Sequence, residues 1–187
     1  GPFRVSFVPM SHSIPESSAL LIETPAGRIF HSGDFKIDAN PGVGEPFDPG
    51  MLREIGARGI KAMACDSTNV FSSHAGRSES TLHAPLRELV SGARGMVAAT
   101  TFASNVARVK ALAEAGRDSG RLVCLLGRAM KRMVSAAQES GVLTDFPATI
   151  SAEDATRVPR DKLMLIVTGT QGERRAASAQ LSRGKYL

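Results

Sequence analysis

The stretch ALLIETPAGRIFHSGDFKID, residues 19–38, decides how the first part of this chain is read. Its first half is apolar and β-branched, broken by a Pro-Ala-Gly turn at residues 25–27, and predicts a β-hairpin with Pro25 and Gly27 supplying the turn. With the turn centred near residues 25–26, facing residues carry numbers that sum to about 51. That arithmetic puts Asp34 opposite Ser17 and Ser18, at the open end of the hairpin and near the loop carrying His12. One imidazole and one carboxylate form a borderline-soft donor pair suited to zinc or manganese, although a metal centre needs about three to four protein ligands. A capped loop at His12 and an Asx-turn at Asp34 are the structural alternative.

Outward from the hairpin, FRVSFVPM (3–10) predicts a strand ending near Pro9, MLREIGARG (51–59) a short helix closed by Gly59, and IKAMACD (60–66) a buried strand ending at Asp66. The rhythm changes near residues 71–78. Helical patterns at 80–93, 104–120 and 128–141 alternate with apolar strands at 95–101, 121–127 and 162–169. This alternation predicts an α/β fold with a largely parallel sheet covered on both faces. Val106, Val109, Leu112 and Ala113 mark the buried face of the second of these helices. Ser104 or Asn105 would cap it, and free N–H groups at such a helix start attract phosphate.

Composition sets the class. The 187 residues are 42% hydrophobic and 22% charged, ordinary for a globular protein. No run approaches the roughly 18 apolar residues of a membrane-spanning helix, and no charged-then-apolar leader opens the chain. Cys65 and Cys124 both sit in apolar runs and are expected to be buried free thiols, which fits a reducing cytoplasm. Residues 1–70 hold 6 Lys/Arg against 8 Asp/Glu, whereas residues 71–187 hold 17 against 10. A basic lobe beside an acidic one suits a polyanion, and a solvated basic surface accounts for the same numbers. His31, on a strand before the turn, reads as a satisfied or exposed histidine and His74 and His83 as solvated, GVGEP lacks the strand and helix of a dinucleotide site, and Met130 and Met133 read as core.

Six strings then occur in order: SHSIPES (11–17), HSGDFKID (31–38), CDSTNV (65–70), ATTFASNVARV (99–109), GRAM (127–130) and VTGTQGE (167–173). Together they resemble the ribonuclease J family, of the metallo-β-lactamase superfamily and its β-CASP branch, from about residue 5 to 184. The resemblance implies residues 1–72 as part of a metallo-β-lactamase-like αββα domain and 73–187 as a β-CASP α/β domain, incomplete at its C-terminal end. It implies a two-zinc ribonuclease, with manganese as a substitute, that cleaves RNA from the 5′ end and internally. A cytoplasmic homodimer or homotetramer with no membrane association goes with it.

Carried over by motif, the resemblance makes His12 a ligand of one metal and Asp34 a carboxylate bridging two, about 3.5–4 Å apart. Asp66 becomes an acidic residue that orients a metal-bound histidine or holds a proton for the leaving group; a turn cap is the alternative. Ser104 and Asn105 would contact phosphate with support from Phe102, and Thr170, Gln171 and Glu173 would shape the substrate channel or domain junction. The family's His-x-His-x-Asp-His cluster and its downstream histidines are absent from these residues. The resemblance therefore implies an internal piece of a longer enzyme, with a depleted metal site and no nuclease activity by itself. A relative acting on DNA, and a non-catalytic RNA-binding or assembly module of the same fold, are the competing functions.

Overall fold

A computed structural model describes residues 1–74 and 76–186. The chain divides into two compact units, Gly1–Ser80 and Thr81–Leu187, whereas the sequence reading places the division after residue 72.

The first unit is built on a four-stranded sheet in the order β1-β2-β3-β4. Strands β1 (Arg4–Pro9), β2 (Ser18–Thr24) and β3 (Gly27–His31) are antiparallel neighbours, and the short β4 (Ala62–Ala64) runs parallel to β3. The hairpin register pairs Leu20 with His31 and Ile22 with Ile29, so each pair of numbers sums to 51. Its turn is closed by the Thr24 hydroxyl, which donates to Gly27 O at 3.0 Å and accepts from Ala26 N at 3.1 Å.

Side chains alternate across the sheet. On one face Val8, Ala19, Leu21 and Phe30 are buried with Met10 and with Ile55 of helix α1 (Pro49–Ala57). Asp48 starts that helix, its Oδ1 accepting from Gly50 N at 2.7 Å and Met51 N at 3.2 Å. The opposite face is apolar too, yet Val5, Phe7 and Ile29 on it are exposed. β4 departs from the expected buried strand: its three residues are exposed, and so is Cys65, the expected buried thiol. An apolar composition reports what a strand can bury. β4 lies at the edge of its sheet, with a strand on one side only.

The second unit carries a three-stranded, all-parallel sheet ordered β5-β7-β6. Helix α2 (His83–Gly92) precedes β5 (Val97–Thr100), and α3 (Val106–Asp118) joins β5 to β6 (Leu122–Leu126). Then follow α4 (Arg128–Glu139), the short α5 (Ala152–Ala155), β7 (Leu163–Val167) and α6 (Ala177–Leu181). All five residues of the central β7 are buried, which requires cover on both faces. Cys124, Leu126, Leu163, Leu165 and Val167 pack with Ala155 of α5 and Ala177 of α6. On the other face α3 comes so close at Gly116 that a Cβ there would lie 2.7 Å from Val123 Cγ2 and 2.8 Å from Met164 Sδ. No helix among the described residues is long and apolar enough to cross a membrane.

Candidate active site

Three of the residues singled out from the sequence, His12, Asp34 and Asp66, follow β1, β3 and β4. The hairpin carries Asp34 past its open end, where Ser17 Oγ donates to the Asp34 carbonyl at 3.4 Å. Gly33 makes the turn possible, with a left-handed φ of 60° that disfavours a side chain. His31 is spent on that turn, its Nδ1 accepting from Gly33 N at 3.1 Å. The Asp34 side chain is exposed and His12 is half-buried.

Asp66 is joined to the same turn through Ser32. Ser32 N donates to Ala64 O at 2.9 Å, and Ser32 Oγ accepts from Asp66 N at 3.0 Å. The carboxylate of Asp66 receives both the N–H and the hydroxyl of Thr68 on one oxygen, at 2.8 and 2.6 Å. Those two bonds, the nearby His12 and the N–H of Phe35 hold its pKa below the ordinary carboxylate value against the opposing effect of desolvation. His12, Asp66 and the backbone following Asp34 therefore meet at one end of the first sheet.

Behind this group lies a second one that sequence reasoning missed. Asp38 is only 3% exposed. Its carboxylate accepts from Ser78 Oγ at 2.6 Å, Asn40 N at 2.9 Å and Glu79 N at 3.0 Å, and pairs with Lys36 Nζ at 3.3 Å. Lys36 Nζ also reaches Glu79 Oε1 at 3.2 Å. Burial pushes the Asp38 pKa up, but the donors from Ser78, Asn40, Glu79 and Lys36 outweigh it and hold the pKa at about 2. These bonds fasten residues 78–79 to the first unit. No local pattern in the sequence marks this group, because Ser78 and Glu79 lie about 40 residues beyond Asp38.

The donors suit a metal in kind and fall short in number. His12 and Asp34 offer one imidazole and one carboxylate, and one oxygen of Asp66 is already taken by Thr68. Among the described residues no group of three or more His, Cys, Asp or Glu side chains is placed to hold a metal ion. Zinc needs about three to four ligands, so these residues by themselves make no metal centre.

The remaining residues belong to the second unit, at the C-terminal end of its parallel sheet. There Thr101 N donates to Val167 O at 3.0 Å, which brings the loops after β5 and β7 side by side. Ligands of open parallel sheets bind at such an edge. Asn105, not Ser104, caps α3, its Oδ1 accepting from Arg108 N at 3.0 Å. Ser104 is half-buried, and Phe102 is 48% exposed. Thr170, Gln171 and Glu173 are exposed, and a Glu173 carboxylate oxygen accepts from Gln171 N at 3.2 Å within their own turn.

The model described as "Ribonuclease J, beta-CASP domain" matches residues 94–186. A ribonuclease J from Sinorhizobium meliloti is 42% identical over 183 residues, 98% of this chain and 32% of its own length. One from Corynebacterium glutamicum is 41% identical over 187 residues, all of this chain and 26% of its own length. The chain belongs to the ribonuclease J family. It spans about a third, or less, of the length of these ribonucleases J. A solved protein of unknown function from Enterococcus faecalis V583 shares the fold, with a TM-score of 0.61 at 18% identity, covering 91% of this chain and 43% of that one. The ribonuclease J relationship thus extends over both units, since the full-length alignments include the His12, Asp34 and Asp66 loops as well as the β-CASP sheet.

Proposed function

We propose that this chain carries part of the catalytic centre and part of the RNA-binding surface of a ribonuclease that hydrolyses RNA phosphodiester bonds. The observation behind this reading is the meeting of His12, Asp66 and the Asp34 turn at one sheet end, in a chain related to ribonucleases J over its whole length. On this reading the first unit is part of a metallo-β-lactamase-like αββα domain. His12 and Asp34 act as two donors to a zinc or manganese centre whose remaining ligands lie outside these 187 residues.

Asp66, whose carboxylate oxygen is held by the N–H and hydroxyl of Thr68 beside His12, is read as the residue that orients a metal-bound histidine or holds a proton for the leaving group. Residues 71–187, with 17 Lys/Arg against 10 Asp/Glu, supply the positive field for the phosphate backbone. Phe102, Ser104 and Asn105, and Thr170, Gln171 and Glu173, sit on the two adjoining loops where that backbone would pass. Cleavage from the 5′ end and internally, in RNA processing and decay, by a cytoplasmic dimer or tetramer, completes the reading. A non-catalytic RNA-binding module of the same fold is the second reading.

The test is Asp34→Ala in the full-length protein. Metal-dependent cleavage of a 5′-monophosphorylated RNA is expected to vanish while RNA affinity stays within about threefold, a change of well under 1 kcal/mol. Cleavage that persists would overturn the role of Asp34. Binding without cleavage by the unsubstituted protein would favour the module.

A further inference from the structure

The loops carrying His12 and Asp34 leave strands that are not neighbours. β1 and β3 flank β2, and two strand spacings put them about 10 Å apart. Ser11 closes that gap. It is 2% exposed and makes three bonds to the segment after Asp34. Its carbonyl accepts from Lys36 N at 2.8 Å, its hydroxyl donates to Lys36 O, and the same hydroxyl accepts from Asp38 N at 3.3 Å. Thus the residue next to His12 is tied to residues two and four beyond Asp34.

Asp38 fixes the other side of that segment. Its carboxylate is held by the Ser78 hydroxyl, the N–H groups of Asn40 and Glu79, and the Lys36 ammonium. Lys36 is in turn shared with Glu79. Asn40 N and Lys36 come from the loop itself, whereas Ser78 and Glu79 come from a segment some 40 residues later. The strip from Lys36 to Asp38 is therefore clamped between Ser11 and residues 78–79.

A buried ion pair is an inefficient way to stabilise a fold, since apolar residues of the same volume often do as well or better. Its best-attested use is to fix one geometry among several. The geometry fixed here is that of the backbone between His12 and Asp34. We infer that Ser11 and Asp38 are positioning residues, which set the separation and orientation of His12 and Asp34 through the backbone of residues 35–38. This rests on the proposed function, in which His12 and Asp34 are the reacting-site groups. A displacement of about 1 Å at such groups costs about 100-fold in rate, so a loosened clamp shows in turnover before it shows in RNA binding.

The experiment compares Ser11→Ala, Asp38→Asn and Asp38→Ala in the full-length protein with Asp34→Ala as reference. It reads kcat and KM for RNA cleavage, deuterium uptake across residues 33–38, and the thermal midpoint. Ser11→Ala is expected to lower kcat about 10- to 100-fold with KM within about threefold. Uptake across 33–38 should rise while the protein stays folded at the assay temperature. Asp38→Asn, which keeps one acceptor oxygen for Ser78 and Asn40 N and loses the one that serves Glu79 N and Lys36, is expected to lose less than Asp38→Ala. Should Asp38→Ala not fold, Ser11→Ala, which removes a single hydroxyl, decides alone. A lowered midpoint with unchanged kcat and uptake in Ser11→Ala would make the clamp purely structural and overturn the inference. Full activity in Asp34→Ala would instead remove the proposed function, and this inference with it.

Discussion

Thr68 donates twice to a single oxygen of Asp66, from its N–H at 2.8 Å and from its hydroxyl at 2.6 Å. This pair contributes most to holding the Asp66 carboxylate below its ordinary pKa. Thr68→Val removes the hydroxyl and keeps the shape. The Asp66 pKa is then expected to rise toward the ordinary value, read by carboxyl-carbon NMR titration. Because the site is open to solvent, the unfolding midpoint should hardly move. An unchanged Asp66 titration would mean that the hydroxyl bond is not what holds it down.

Asp38 behaves differently because it is buried. Its folded-state pKa is depressed to about 2, below the unfolded value of about 3.9. The sign follows from proton binding. Above about pH 5 the carboxylate is ionised in both states and its stabilisation is fully present. As pH falls toward 2 the unfolded chain takes up the proton first, and roughly 2 kcal/mol of stability is lost. Urea unfolding from pH 6 to 2 should show this decline, and Asp38→Asn should flatten it while lowering stability near pH 6. An equally steep decline in the variant would place the acid sensitivity elsewhere.

The hairpin is legible because two local signals agree, strand alternation and a Pro-Ala-Gly turn, and its register alone places Asp34 at Ser17. The parallel sheet was legible from its apolar strands and intervening helices. The clamp around Asp38 was not, since Ser78 and Glu79 lie about 40 residues away and nothing local announces them. Nor was the exposure of Cys65, because neighbours, not composition, decide burial. Ser104 and Asn105 are both good caps, and only the backbone geometry selects Asn105.

Gly116 tests the packing of α3 on the parallel sheet. Alanine there gains up to about 1 kcal/mol of helix propensity. Its Cβ would, however, stand 2.7 Å from Val123 Cγ2 and 2.8 Å from Met164 Sδ. The methionine can yield, but the branched valine cannot without moving its strand. Overpacking of this kind costs about 1–3 kcal/mol, so Gly116→Ala is expected to lower the urea midpoint. A raised midpoint would show that the helix stands off further than these distances state.

The uncovered face of the four-stranded sheet makes a separate prediction. Val5, Phe7 and Ile29 lie on it, with Phe7 76% exposed. Contiguous apolar surface of this kind binds other apolar groups. The 187-residue chain is expected to enhance the fluorescence of an apolar dye such as ANS while retaining native secondary structure. Val5→Thr with Phe7→Thr, which keeps strand propensity, should reduce that signal severalfold with an unchanged far-UV spectrum. Equal dye binding in the double variant would locate the apolar surface elsewhere.

The last prediction concerns donor number. On the proposed reading His12 and Asp34 supply two donors, and among the described residues no group of three or more His, Cys, Asp or Glu side chains is placed to hold a metal ion. A metal that bound the folded chain at 100 times its dissociation constant would add about 2.7 kcal/mol of stability. Two exposed or half-buried donors without a third should give no such gain. The 187-residue chain is therefore expected to show the same unfolding midpoint with and without micromolar zinc or manganese, and no metal-dependent cleavage of RNA. A midpoint raised by several degrees, lost in both His12→Ala and Asp34→Ala, would mean that these two side chains find further donors within the chain, and the count of two would be wrong.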